Sequence, residues 1–106
     1  MSDRVEKVQE VLRHLGAAYL SAESDRTSLI TVTHTKISRD LKKATIFVSV
    51  YPENRERVAI DFLKRKRSDF RNYVKENAHM KRIPTLDFEI DEGEKNRQRI
   101  DTLLNE

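Results

Sequence analysis

The sequence predicts a small α+β domain with the order α-β-β-α-α-β, followed by a short tail helix. Three observations carry that prediction. Apolar residues recur at helical spacing near the N-terminus and again in the middle of the chain. Two runs rich in β-branched residues lie between those helical stretches, and a third, alternating run follows them. With 106 residues the chain is long enough for one modest core and too short for two, so a single domain over 1–106 is expected.

The elements follow in order. Asp3 and Glu6 resemble a capping box, and Val5, Val8, Leu12, Leu15 and Tyr19 then form one stripe, so residues 3–20 read as an amphipathic helix. Residues 21–27 are polar and turn-like. The segment LITVTHTK, residues 29–36, reads as a strand, and Ser38-Arg39-Asp40 connects it to a second, ATIFVSVY, over residues 44–51. In that second strand Ile46, Val48 and Val50 share one face, and Phe47, Ser49 and Tyr51 share the other. The two strands are close enough in sequence to form a hairpin.

Pro52 ends the second strand. Val58, Ile60, Phe62, Leu63, Phe70, Tyr73 and Val74 then follow helical spacing, interrupted at Ser68-Asp69. Serine is a strong N-cap and an acid in the first turn suits the helix dipole. Two helices are therefore expected, over 53–66 and 69–79, joined by a kink at Ser68 and Asp69. Ile83-Pro84 marks the end of the second, because a residue before proline is pushed out of the helical region. Leu86, Phe88 and Ile90 alternate with Asp87, Glu89 and Asp91, which predicts a third strand with one buried face. A tail helix over 94–104, within an acidic segment 92–106, could dock through Ile100, Leu103 and Leu104.

Charge is unevenly spread along this framework. Charged residues are 37% of the chain, well above the roughly 25% of an average domain, and the net charge is +3. Residues 64–82 carry a balance of +6, whereas residues 86–106 carry −4. The candidate phosphate contacts are Lys64, Arg65, Lys66, Arg67, Arg71, Lys75, Lys81 and Arg82, with Arg39, Lys42 and Lys43 as a lesser group. A solvated helix face is the plain alternative for such a charge run.

Several classes are disfavoured by composition. With no cysteine, disulfides, thiolate metal sites and cysteine nucleophiles are absent. His14, His34 and His79 are far apart and lack metal-ligand spacing, so no metal and no cofactor are expected. No nucleophile elbow or P-loop occurs, so no enzymatic activity is expected. The N-terminus is charged from Asp3 onward, and no run of about 18 apolar residues occurs, so no membrane association and a cytoplasmic location are expected.

Asp87, Glu89 and Asp91 occupy the strand face opposite the core. Three acids there repel phosphate and argue against a sheet platform of the RRM kind, whose glycines KKATIFVSV also lacks. Phe47 and Tyr51 could stack on bases, but aromatics flanking a strand more often serve packing. The helical side is therefore the better candidate surface for RNA.

At this point the residues carry a family resemblance. ITVTHTKISRDLKKATIFVSVY, residues 30–51, resembles the strand–SxDL–strand segment of the ribosome-binding factor A family. Arg4-Val5 with VQEVLRHL, Phe70-Arg71, MKRIPTLDFEID at 80–91, and Arg99-Ile100 with Leu103-Leu104 resemble its other landmarks in the right order. The resemblance implies a KH-like type II domain, with a kinked helix pair and a short C-terminal helix on a three-stranded sheet. It also implies a factor that binds the immature 30S small ribosomal subunit, contacts its rRNA and assists late rRNA processing and maturation, often under cold conditions. In that family the Gly-x-x-Gly clamp of ordinary KH domains is absent, and a kink of Ala-x-Gly type takes its place. Gly16 and Gly93 are not placed for a clamp, and Arg67-Ser68-Asp69 stands where Ala-x-Gly would be. A monomer acting on the small subunit and its rRNA, with no DNA partner, is expected.

Two other readings compete. In a DNA-binding helix-turn-helix, Asp69 would face phosphate at the start of the recognition helix, which disfavours it. In a protein-interaction adaptor, the acidic tail and basic helix would pair with each other or with a ribosomal protein. Adaptor binding should survive nuclease treatment, and rRNA-dependent binding should not.

Overall fold

A computed structural model of the chain describes residues 2–23 and 28–93. The expected tail helix over 94–104 lies outside the described residues, as does the side chain of Asp3 in the expected capping box. The six expected elements are present in the expected order: α1 (Ser2–Glu23), β1 (Leu29–Ile37), β2 (Lys43–Tyr51), α2 (Glu56–Arg65), α3 (Arg67–Asn77) and β3 (Thr85–Ile90). A single 3-10 turn, Glu53–Arg55, leads into α2.

β2 is the centre of the sheet. β1 pairs with it antiparallel, from Leu29↔Tyr51 to Ile37↔Ala44, with a bulge between Val32 and His34. β3 pairs with its other edge in parallel, from Lys43↔Thr85 to Val48↔Ile90. An antiparallel pair needs only a short turn, whereas a parallel pair needs a long crossover, and α2 and α3 supply it. The order β1-β2-β3 together with this crossover is the KH-like type II arrangement.

Alternation decides which strand face is buried. Ile46 and Val48 are fully buried and Val50 nearly so, while Phe47 and Ser49 on the other face are half-exposed and Tyr51 is exposed. Leu86 and Phe88 of β3 complete the buried surface. All three helices supply it with apolar side chains: Leu12, Tyr19 and Leu20 from α1, Ala59 and Leu63 from α2, Phe70 and Val74 from α3. Phe70 lies at the middle, its ring centroid 5.1 Å from Tyr19 and 5.3 Å from Phe88, both at tilted angles that suit aromatic quadrupoles. Gly16 is buried on the same stripe of α1. A Cβ there would lie 3.3 Å from Ile46 Cγ2, so the missing side chain lets α1 approach the sheet closely.

The helix junction differs from expectation. Two helices are present, but they meet at Lys66 (φ −90°, ψ 3°) and not at Ser68. The Lys66 amide donates to both Phe62 O (3.1 Å) and Leu63 O (3.0 Å), and the Phe70 amide donates to Lys66 O at 2.8 Å. That last bond occupies the N–H from which a capping Ser68 hydroxyl would have accepted. Ser68 is accordingly an exposed residue in the first turn of α3, and α3 has no side-chain cap. The near-continuous junction also differs from the three- or four-residue turn of a helix-turn-helix.

Asp69 does not stand free in the basic patch either. Its Oδ2 accepts a hydrogen bond of 2.6 Å from the Tyr19 hydroxyl, which ties α3 to α1. Burial, and after it this bond, push the Tyr19 phenol above its ordinary pKa.

Candidate nucleic-acid interface

The eight bases of residues 64–82 divide into two groups once their neighbours are known. Lys64 Nζ lies 2.6 Å from Asp87 Oδ1, and Arg67 reaches the same oxygen at 3.3 Å while its Nε donates to Lys64 O. Lys66 is 3.6 Å from Glu23 and sits over the Phe62 ring. Arg71 donates to the carbonyls of Ile83 (3.1 Å) and Pro84 (3.5 Å), fastening α3 to the loop before β3. Arg65, Lys75, Lys81 and Arg82 are exposed and have no ion-pair partner among the described residues.

The acids of β3 are correspondingly not a uniform repelling face. Asp87 turns to the cations of α2 and α3. Burial alone would raise its carboxyl, but the Lys64 ammonium, the Phe88 amide and Arg67 outweigh that effect and hold it below the ordinary value. Asp91 accepts from the Thr33 hydroxyl and lies 3.2 Å from His34 Nδ1, and only Glu89 stays exposed. Phe47 stacks on His34 at 4.4 Å, a packing role. The three histidines go to separate places: His14 beside Glu10, His34 on the sheet, and His79 beyond the end of α3, where it lines a cleft with Met80 and Lys81.

Arg39, Lys42 and Lys43 sit on the β1–β2 turn, where ISRDL acquires a structural explanation. The Ser38 hydroxyl donates to Asp40 Oδ1 (2.6 Å) and accepts from the Lys42 (3.2 Å) and Lys43 (3.0 Å) amides. Asp40 Oδ1 accepts from the Lys42 amide as well, and these bonds, with Ser38 first, hold the Asp40 carboxyl below its ordinary value. Leu41 takes φ +62°, a conformation that costs a non-glycine residue about 1–2 kcal/mol. The Ser38–Asp40 network imposes that turn, and the Leu41 side chain packs against the core edge. Ser38→Ala should therefore cost about 1 kcal/mol in a urea melt, since it leaves the Lys43 amide without its acceptor and the Lys42 amide with Asp40 alone. A change below about 0.5 kcal/mol, the ordinary range for surface positions, would mean the network is dispensable.

Lys42 and the pair Lys81-Arg82 are separated by nearly forty residues in sequence, and the fold brings them together. Because β2 and β3 run parallel from Lys43↔Thr85, the segments entering both strands lie side by side, joined by a 2.8 Å bond from the Thr85 amide to Lys42 O. The first turns of α1 close the third side. The result is a cleft of about 910 Å³, rimmed by Arg4, Lys42, Lys81 and Arg82 over a floor that includes Leu41, Met80 and Ile83. Arg39 and Lys43, also exposed, lie outside it, as do all residues of α2 and α3. Arg4 was not among the residues expected here from charge clustering. Its signal would have been the position of α1 over the strand entries, which a linear count of charges does not contain.

The fold has close counterparts. A family model described as ribosome-binding factor A matches residues 4–104. Ribosome-binding factor A of Rhodopseudomonas palustris (strain TIE-1) is 33% identical over 97% of this chain and 79% of its own length. That of Chlorobium phaeobacteroides is 33% identical over 100% of this chain and 95% of its own. Among solved structures, the crystal structure of ribosome-binding factor A from Thermus thermophilus shares the fold with a TM-score of 0.72, at 23% identity over 81% of this chain and 94% of that one. A Thermus thermophilus ribosome-binding factor A homology model, fitted into the cryo-EM map of a 30S complex with that factor, is 25% identical with a TM-score of 0.66. That match covers 74% of this chain and 86% of the other. With its sheet order, its crossover and nearly its whole length matched, the chain belongs to the ribosome-binding factor A family.

Proposed function

We propose that this protein is a non-enzymatic assembly factor that binds rRNA of the immature 30S small subunit and assists late rRNA processing and maturation. It acts in the cytoplasm as a monomer, as one domain over residues 1–106, and its contribution is greatest at low temperature. Family membership supports the ribosomal role, and so does the Thermus relative fitted into a 30S complex. Among the described residues no helix is long and apolar enough to cross a membrane.

The observation that carries the reading is the convergence of Lys42 with Lys81, Arg82 and Arg4 at one cleft; Arg65 and Lys75 are further exposed cations, on α2 and α3. Sequence-distant cations gathered on one side of a small domain give a surface that neutralises phosphates without base-specific chemistry. Lys64, Lys66, Arg67 and Arg71 have mainly structural partners and act as a second, weaker group, with Arg39 and Lys43 at its margin.

Sucrose-gradient co-sedimentation with precursor and mature small subunits tests the proposal directly. Binding to small-subunit particles that is lost on rRNA digestion is expected, with deletion of the gene leaving unprocessed small-subunit rRNA most strongly in the cold. Nuclease-resistant binding would support the adaptor reading instead. Normal processing at every temperature, with no redundant factor present, would remove the maturation role.

A further inference from the structure

The cleft between the entries to β2 and β3 combines two features that a plain phosphate patch does not need. Its rim is cationic: Arg4, Lys42, Lys81 and Arg82 are all exposed, and none has a side-chain partner among the described residues. The one carboxylate on that rim, Asp40, is already engaged by the Ser38 hydroxyl and the Lys42 amide. Its floor is apolar: Val8, Leu41, Met80 and Ile83 are half-buried at the edge of the core, and Pro84 is buried. The cleft is separate from the α2–α3 junction, where Asp87 already occupies Lys64 and Arg67.

We infer that this cleft takes an unpaired nucleotide of single-stranded RNA, its base on the apolar floor and its flanking phosphates on the cationic rim. The inference rests on the rRNA-binding reading above and names the feature of the RNA that is recognised. A volume of about 910 Å³ lies at the upper end of ligand sites, which run from roughly 300 to 1,000 Å³. A duplex can satisfy the rim, because its phosphates are outside. It cannot use the floor, because its bases are stacked on one another and offer no free face. An extruded base is held by stacking on aromatic or apolar side chains, and here the half-buried Met80 thioether and Ile83 side chain supply such surfaces. The floor and rim therefore act on different parts of the ligand, and their contributions separate experimentally.

The test measures binding of the full chain to a short single-stranded RNA carrying a 2-aminopurine, and to the same strand annealed to its complement. The single strand should bind at least about tenfold more tightly at matched salt, with a change in 2-aminopurine emission as the base leaves solvent. Met80→Ala should weaken single-strand binding several-fold, leaving duplex binding and the salt slope unchanged. Ile83→Ala serves as an independent floor variant, and circular dichroism checks that both are folded. Lys81→Ser with Arg82→Ser should weaken both ligands and reduce the log-log salt slope by about 1.4, at roughly 0.7 per phosphate contact. Equal affinity for single strand and duplex would overturn the inference, as would floor variants that fold and bind the single strand as the parent does. Either result leaves the ribosomal reading intact if the parent still sediments with small subunits. Failure to sediment, with single-strand preference retained, would overturn that reading alone.

Discussion

Phe70→Ala should destabilise this protein by about 3–5 kcal/mol, the usual range for removing a buried phenyl ring. Phe70 is fully buried and packs simultaneously against Tyr19 of α1 and Phe88 of β3. Its loss would open a cavity where two helices and the sheet meet, and none of the rigid neighbours can collapse into it without moving an element. Since small domains have only about 5–15 kcal/mol of stability in total, the melting temperature should fall by roughly 15–30 °C. Ser68→Ala, two residues away, is the internal control. If Ser68 capped α3 it would cost about 1 kcal/mol, whereas an exposed residue with no cap bond should be close to neutral. Thermal and urea melts of the two variants check both statements. A Phe70→Ala protein within about 1 kcal/mol of the parent would mean that the three-element junction does not carry the core.

The second large effect concerns affinity. If about four to six cations engage non-duplex RNA, the log-log salt slope should be near −3 to −4. Replacing Arg65, Lys75, Lys81 and Arg82 with serine should reduce that slope by about 3 and lower affinity in 0.1 M salt by two to three orders of magnitude. The same treatment of Lys64, Lys66 and Arg67 should do much less. These three cations face two carboxylates, Asp87 and Glu23, so their residual charge is close to one. A slope change below about 1 is therefore expected for them, accompanied by some loss of stability as Asp87 is left unpaired. Filter binding over a salt series, with a melt on each variant, separates the outcomes. Equal slopes for the two sets would mean that RNA displaces Asp87 and that the helix junction belongs to the interface.

Much of this protein is legible in its sequence because the relevant signals are local. The stripe of α1 and the alternation of β2 and β3 involve residues within a few positions of each other, and each produced the expected element, whereas α3 ends at Asn77, well before Ile83-Pro84. Asp87 and Asp91 illustrate the limit of the same logic. Their position on the sheet face follows from alternation, but Asp87 is engaged by residues 23 and 20 positions away and Asp91 by one 58 away. The junction at Lys66 is a related case. Ser68 has the chemistry of a cap, yet a backbone bond from Phe70 to Lys66 takes the donor it would need.

Order of elements, the buried faces and the concentration of positive charge were thus decided by the sequence alone, since each depends on period, propensity or composition along the chain. Which of those charges are free was decided only by tertiary structure. Lys64 and Lys81 are indistinguishable in a count of charges. One lies beside Asp87, and the other lines an open cleft with Lys42 and Arg4. The physical reason is that a charge is neutralised by what lies within a few ångströms of it. In this chain those neighbours are brought close by the parallel pairing of β2 with β3 and by the packing of α2 along the sheet edge.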